Sequence, residues 1–329
     1  GGADWDIDEM RNYWQKGKEG VQQIYAEYFR YNNPYFLVYE WLRGHYKNDI
    51  YGYATLTYKL NRDLEITGRT QITTYDLFRN EKFPYSAGTY GREERLGDYR
   101  EDRRSLFENN TEVMLRFNKS LGHGLNLGAF VGGNLRSFQY SSNYTTTDYL
   151  NVPGVYNFSN TRNPLRAFNF NSDMRVLSGY YSFDLGIGRF ANLSTTGRVD
   201  KISTLPTKNN SYFYPSVSLS TVVSDYVQLP AAISFLKFRT SYAESKGGGT
   251  AAYIGPASHP FGGNPLGYGA VYYSSYEGPT YALGQYYNTN QIFGSTTAAY
   301  YTNTILDDNI QSENRSNIEA GMDVRFLGN

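Results

Sequence analysis

The chain has 329 residues, with 31 lysine plus arginine against 31 aspartate plus glutamate, no cysteine and a negative mean hydropathy. Zero net charge leaves no footprint for nucleic acid and no polybasic membrane patch, and the lack of cysteine rules out a disulfide scaffold or thiolate metal site. No run of about 18 apolar residues occurs, so a helical membrane protein is excluded whereas a β-barrel is not.

Residues 1–34 differ from the rest. Asp4, Asp6, Asp8 and Glu9 precede Met10, Trp14, Val21, Ile24 and Tyr25 at loosely helical spacing, which predicts a loop carrying a short helix. No secretion signal opens the chain, as expected of a mature or truncated envelope product. Tyr35 to Arg43 has the composition of a strand, but its short connection to Ile50 suits one arm of a hairpin outside the membrane better than a spanning strand.

From residue 50 onward, nine segments have period-two apolar faces: Ile50 to Leu60, Leu64 to Thr74, Asn110 to Asn118, Leu125 to Arg136, Val176 to Gly188, Leu193 to Asp200, Tyr212 to Val223, Phe235 to Ala243 and Ser316 to Phe326. Their connections alternate in length. Asn61 to Asp63, Lys119 to Gly124 and Arg189 to Asn192 are compact hairpin turns. Residues 75–109, 137–175, 201–211 and 244–315 lie on the other side, and three of these are far longer than the 12 to 15 residues or so usual in compact soluble domains. Short periplasmic turns and long extracellular loops are the pattern of an up-and-down membrane barrel. The expected fold is therefore all-β, part of a large antiparallel transmembrane β-barrel, with 1–49 as an extracellular loop, short helix and hairpin arm, and 50–329 as partial barrel.

The faces support this. Ile50, Ala54, Leu56 and Leu60 oppose Tyr51, Tyr53, Thr55 and Lys59; Leu64, Ile66 and Ile72 oppose Glu65, Arg69 and Gln71; Ile318, Met322, Val324 and Phe326 oppose Asn317, Glu319, Asp323 and Arg325. The apolar faces carry no charge. An arginine or lysine facing the bilayer midplane costs about 2–4 kcal/mol, whereas a wet lumen accepts it. Parity thus sends Arg69, Arg116, Arg136, Arg198, Asp200, Lys237 and Arg239 to the lumen. Tyr75, Phe78, Phe107, Phe138, Phe190, Tyr212, Tyr214, Tyr226 and Phe235 near segment ends suit an aromatic girdle at the lipid headgroups, or ordinary sheet-core packing.

Signs of catalysis are few. His45, His123 and His259 are scattered and fall in turns or loops, without metal-ligand spacing. Gly247-Gly248-Gly249-Thr250 lacks the lysine and helix of a phosphate loop. The mixed-sign run from Arg92 to Arg104 suits a solvated loop or docking surface. Glu65 with Arg69, Glu112 with Arg116 and Arg198 with Asp200 share strand faces, where they line a wet lumen or hold a polar plug. Neither an enzyme nor a cofactor or metal is expected. Tyrosines in the long loops, Tyr144 and Tyr149 and then Tyr268, Tyr272, Tyr273 and Tyr276, alternate with Asn, Ser and Gly and are candidates for sugar or peptide binding, or for loops packed on their own rings.

Several strings resemble the barrel of SusC/RagA-type TonB-dependent transporters: Asn32-Asn33-Pro34-Tyr35-Phe36, Gly197-Arg198-Val199-Asp200, Ser211-Tyr212-Phe213-Tyr214-Pro215-Ser216-Val217-Ser218, Phe235-Leu236-Lys237-Phe238-Arg239-Thr240-Ser241-Tyr242-Ala243 and Glu313-Asn314-Arg315-Ser316-Asn317-Ile318-Glu319-Ala320-Gly321-Met322-Asp323. The resemblance implies an outer-membrane importer of Bacteroidota with a barrel of about 22 strands, a lumenal plug pulled by the TonB complex, and a SusD-like surface lipoprotein that closes over glycan or peptide. The family offers no catalytic residues. A plug, a TonB-contacting segment and further strands have no counterpart in these residues, so a longer polypeptide is expected. A secreted glycan-binding or adhesin module is the competing class, with shorter strands and less one-sided loops. An outer-membrane hydrolase would need a Ser-His-carboxylate set.

Overall fold

The computed structural model describes residues 6–27, 31–88, 93–247, 287–293, 296–301 and 309–327. Helix α1 (Pro34–Glu40) precedes strands β1 (Leu42–Lys59), β2 (Leu64–Tyr85), β3 (Leu96–Gly122), β4 (Leu125–Leu150), β5 (Thr161–Ile187), β6 (Ala191–Ile202), β7 (Ser211–Val222), β8 (Ile233–Gly247), β9 (Tyr287–Phe293), β10 (Thr296–Tyr301) and β11 (Glu313–Phe326). Nine of them form one antiparallel sheet in the order β1-β2-β3-β4-β5-β6-β7-β8-β11, while β9 and β10 pair with each other. Each strand up to β8 thus lies beside its sequence neighbour, the simplest arrangement that tight turns permit.

Turn chemistry fixes one end of the sheet. His123 and Gly124, the two residues between β3 and β4, both have positive φ, at 52° and 79°, the conformation a two-residue hairpin turn needs to match strand twist. Pro215 sits inside β7, where a missing N–H would break a ladder. The β7–β8 pairing accordingly stops at Ser216, one residue short of it.

The strands are much longer than expected. β2, β3, β4 and β5 run for 22, 27, 26 and 27 residues, against the 9–11 or so that cross a bilayer. Most of 75–109 and 137–175, expected as loops, is therefore paired strand. The true connections are 86–95, 151–160 and 203–210. His45 likewise lies within β1, not in a turn.

Cross-strand register shows where the membrane portion ends. Directly paired residues share a face, so Leu56, Ile66, Leu115, Val131, Tyr181, Val217 and Ile318 can be followed from strand to strand on a single side. This side is uncharged and mostly apolar up to Ile72, Phe107, Leu135 and Leu177, its few polar groups such as Asn109 and Thr70 bonding one another. Beyond that level the same side carries Asp76, Lys82, Glu101, Arg103, Asn143, Asp173 and Arg175. The apolar band is about one bilayer tall, and the β2–β5 hairpins continue above it as a polar-coated wall.

Above the band the opposite side is packed. Leu106, Phe138, Tyr140, Met174, Val176, Ile202 and Leu205 form a core with Tyr75, Tyr212 and Ile310 against it, so the 203–210 connection folds onto this side. Tyr75, Phe138, Tyr212 and Tyr214 therefore belong to the interior side, not to a lipid girdle. Phe107 does lie on the apolar side and is exposed. The run from Asp98 to Arg104 is strand, not a solvated loop. Asp98, Arg100, Asp102 and Arg104 alternate inward and are buried, while Glu101 and Arg103 face outward.

Residues 35–40 form neither a strand nor a hairpin arm, and Leu42 and Arg43 open β1. Asn33 accepts hydrogen bonds from the backbone N–H of Tyr35 and Phe36, and Pro34 occupies the first helical position, both strong helix-start features. Phe36 is buried beneath α1 with Phe83 and Ala87, and Tyr13, Trp14, Leu37 and Trp41 pack around them. The N-terminal segment is thereby seated on the tip of the wall. Gln23, itself buried, donates to the Ser86 carbonyl at 2.7 Å, and the Asn32 amide exchanges two hydrogen bonds with Gly88 at 2.8 and 2.7 Å.

The turn into β3 depends on one glycine. Gly97 has φ of 63°, and a Cβ there would lie 2.4 Å from the Phe83 carbonyl oxygen. Left-handed backbone costs a non-glycine residue about 1–2 kcal/mol before any clash. Gly97→Ala is expected to destabilise the tip by about 2 kcal/mol or more, read as a lower urea midpoint with an unchanged slope.

Candidate functional site: the polar face of the wall

Within the height of the apolar band, the opposite face is polar. Register brings charges together across strands. Arg69 lies opposite Glu112, and Glu65 opposite Arg116, whose Nη1 is 3.7 Å from the Glu65 carboxylate. Arg136 Nε donates to Glu108 Oε1 at 2.7 Å. Arg198 Nε donates to Asp200 Oδ1 at 2.8 Å and its Nη2 to Ser178 Oγ at 2.8 Å, while the Tyr214 hydroxyl donates to Asp200 Oδ2 at 2.6 Å. Arg239 Nη2 stands 3.8 Å from Asp323 and is largely exposed. Charges held in a membrane assembly are usually paired in this way and face a cavity.

All seven residues assigned to this face from parity, Arg69, Arg116, Arg136, Arg198, Asp200, Lys237 and Arg239, lie on it by register. Their partners differ from expectation in two respects: Arg69 faces Glu112 across strands, not Glu65 on its own strand, and Arg116 pairs with Glu65, not with Glu112 on its own strand. The reason is that four residues along a strand span about 13 Å whereas facing residues are neighbours. Sequence reading missed Glu108 and Asp184, and it offered Tyr214 to the girdle and not to this face. Asp184 accepts hydrogen bonds from the hydroxyls of Ser194 and Ser182, and the alternation Ser182-Asp184 opposite Ser194-Thr196 was the available signal.

The face has two textures. Over β3 to β5 bulky groups fill it, and the Tyr180 ring lies where a Cβ on Gly132 would stand, 2.5 Å away. Over β6, β7, β8 and β11 serines and an asparagine alternate with a few long charged side chains. Asn192, Ser218, Ser220, Ser241, Arg239 and Glu319 line an open trough of about 770 Å³. No group of three or more candidate metal ligands occurs among the described residues.

The tyrosines expected in binding loops are placed otherwise or not described. Tyr144 is within β4 on the interior side, its hydroxyl buried. Tyr149 bridges two hairpin tips: its backbone N–H donates to Asp98 Oδ1 at 2.8 Å, and its hydroxyl accepts from the Glu94 N–H at 3.2 Å. Tyr268, Tyr272, Tyr273 and Tyr276 lie outside the described residues, as does His259.

Nine antiparallel strands in one sheet, a bilayer-high apolar side and a charged, hydrogen-bonded reverse side define a section of a large transmembrane β-barrel wall. Solved structures share this fold. The RagAB peptide importer in its "closed-closed" state superposes with a TM-score of 0.71 over 91% of this chain at 13% identity. The RagAB peptide transporter gives 0.71 over 90% at 13% identity, and the importer's "open-open" state 0.69 over 90% at 13%. This chain spans about 30% of the length of the chains it matches. No protein-family model and no curated protein sequence matches it.

Proposed function

We propose that this chain is part of the barrel of a TonB-dependent transporter that imports oligosaccharides or peptides across a bacterial outer membrane. The observation that carries this is the two-sided sheet: one uncharged side a bilayer tall, and a reverse side whose charges are paired within reach of a polar trough. Similarity of fold to the RagAB peptide importer supports it. The mechanism is capture, without chemistry. A SusD-like surface lipoprotein closes over substrate above the wall, and a plug in the lumen, seated on the polar face, moves when the TonB complex draws on it. Substrate then passes along the lumen, where Arg69, Arg116, Arg136, Arg198, Asp200, Lys237 and Arg239 face it.

Deleting the full-length gene in its host, with complementation, tests this. The polypeptide is expected in the outer-membrane fraction, and its loss is expected to abolish growth on one class of glycan or peptide as sole carbon source. A polypeptide recovered as a soluble monomer without detergent would sink the membrane assignment. Unchanged growth on every glycan and peptide tried would sink import.

A further inference from the structure

The tip of the wall carries an aromatic surface that barrel closure does not require. Tyr35 and Tyr39 are four residues apart on α1 and so share one face, and Tyr13 lies against them. The Tyr13 and Tyr39 rings are 6.2 Å apart with planes at 16°, and those of Tyr39 and Tyr35 are 6.4 Å apart at 9°. Three rings thus run parallel in a row. They are fixed from below, where Trp14 meets the fully buried Phe36 edge-on at 5.3 Å and Asn33, also buried, donates to the Met10 carbonyl at 3.0 Å. Tyr39 at the centre is 60% exposed and the adjacent Val38 69% exposed, while Tyr13 and Tyr35 on either side are half-buried.

The margins are charged. Arg11 stands 5.9 Å from the Tyr35 ring centre and pairs with Asp8 at 3.1 Å. The Tyr13 hydroxyl donates to Glu40 Oε1 at 2.9 Å. Burial, together with that bond, pushes the Tyr13 pKa up to about 12, so it remains a neutral donor well beyond pH 10.

Two kinds of occupant fit this surface poorly. An extended peptide that adds as a strand needs an unpaired strand edge, but α1 is a helix, and Tyr13 and Gln15 are already bonded to Ile24 and Gln22 at 2.7 and 2.9 Å. An apolar protein surface needs a continuous apolar patch, and here Asp8, Arg11 and Glu40 break it. A sugar chain matches both features, with C–H faces against the rings and hydroxyls toward charged margins. We propose that Tyr13, Tyr39 and Tyr35 form a binding platform for a soluble oligosaccharide, with Arg11 and Glu40 engaging its hydroxyls. The platform rests on the import function only for the origin of the glycan.

Titrating the full-length protein in detergent micelles with cellohexaose, xylohexaose and maltohexaose tests the platform, with tryptophan fluorescence as readout because Trp14 lies 5.6 Å from Tyr13. At least one hexaose is expected to bind, with affinity about tenfold or more weaker in Tyr39→Ala and within about threefold of the parent in Tyr39→Phe. No binding by any of the three, equal binding by Tyr39→Ala, or Tyr39-dependent binding of a mixed decapeptide pool instead would each overturn it. Binding in micelles needs no transport, so a failed platform leaves import standing and failed uptake in cells leaves the platform standing.

Discussion

Val131→Arg is expected to lower the stability of the full-length barrel by about 2–4 kcal/mol in refolding titrations into phospholipid vesicles. Val131 lies midway up the apolar band, between Leu115 on β3 and Tyr181 on β5, and is more than half exposed. In water such exposure would invite association. Against hydrocarbon it satisfies the side chain, and a guanidinium placed there must either shed its hydration or thin the bilayer around it. Ser218→Arg is the matched control. Ser218 is exposed on the polar side at a similar height, opposite Ser194 and Ser241, and the change there is expected to stay within about 0.5 kcal/mol. Equal effects at the two positions would mean that the apolar side does not touch lipid.

The contrast between these two residues is also what made the membrane portion legible in the sequence. On the proposed reading, lipid on one side of the band and water or a plug on the other impose strict alternation, so segments such as Leu125 to Arg136 and Ser316 to Phe326 stand out, and parity puts Arg69, Arg198 and Arg239 on the same side of the sheet as register does. Above the band that contrast disappears. Both sides of β3 are polar between Asp98 and Arg104, because the inward side is held by ion pairs in place of apolar packing. Turn-rich, aromatic and charged strand therefore resembles loop, and residues 75–109 and 137–175 are assigned to loops on that ground. The inward row Asp98-Arg100-Asp102-Arg104 did carry a signal, an alternation of sign at every second residue. Tyr35 to Glu40 is a different case. Its composition suits a strand, and the helix is set by two residues before it, Asn33 and Pro34, whose capping chemistry outweighs the β propensity of Tyr, Phe and Val. Glu65 with Arg116 shows the last limit: which strand supplies a partner depends on register, and register follows from turn lengths that composition alone leaves uncertain by a residue or two.

Glu81→Gln is expected to destabilise the wall tip by about 3–5 kcal/mol, the second large effect. Glu81 is fully buried. Its Oε2 is 3.0 Å from Arg100 Nε, its Oε1 accepts from Arg43 Nε at 2.8 Å, and the same oxygen accepts from the Trp41 indole. Removing its charge takes from the Arg100 guanidinium, which is 2% exposed, the carboxylate that stands 3.0 Å from its Nε. Arg43 is nearly half exposed and can turn to water, so Arg100 bears most of the cost. Replacing both partners with apolar groups, Glu81→Leu with Arg100→Met, removes both buried charges together and is expected to recover most of the loss, since a buried pair roughly cancels its own desolvation. Trp41 reports on the change directly. It packs edge-on against Phe83 at 4.5 Å and follows α1, so urea titration by tryptophan fluorescence reads the seating of the N-terminal segment on the wall. A shift below about 1 kcal/mol in the single variant, or a double variant no better than the single, would show that packing around Phe36 and Phe83 holds this segment and that the ion pairs contribute little.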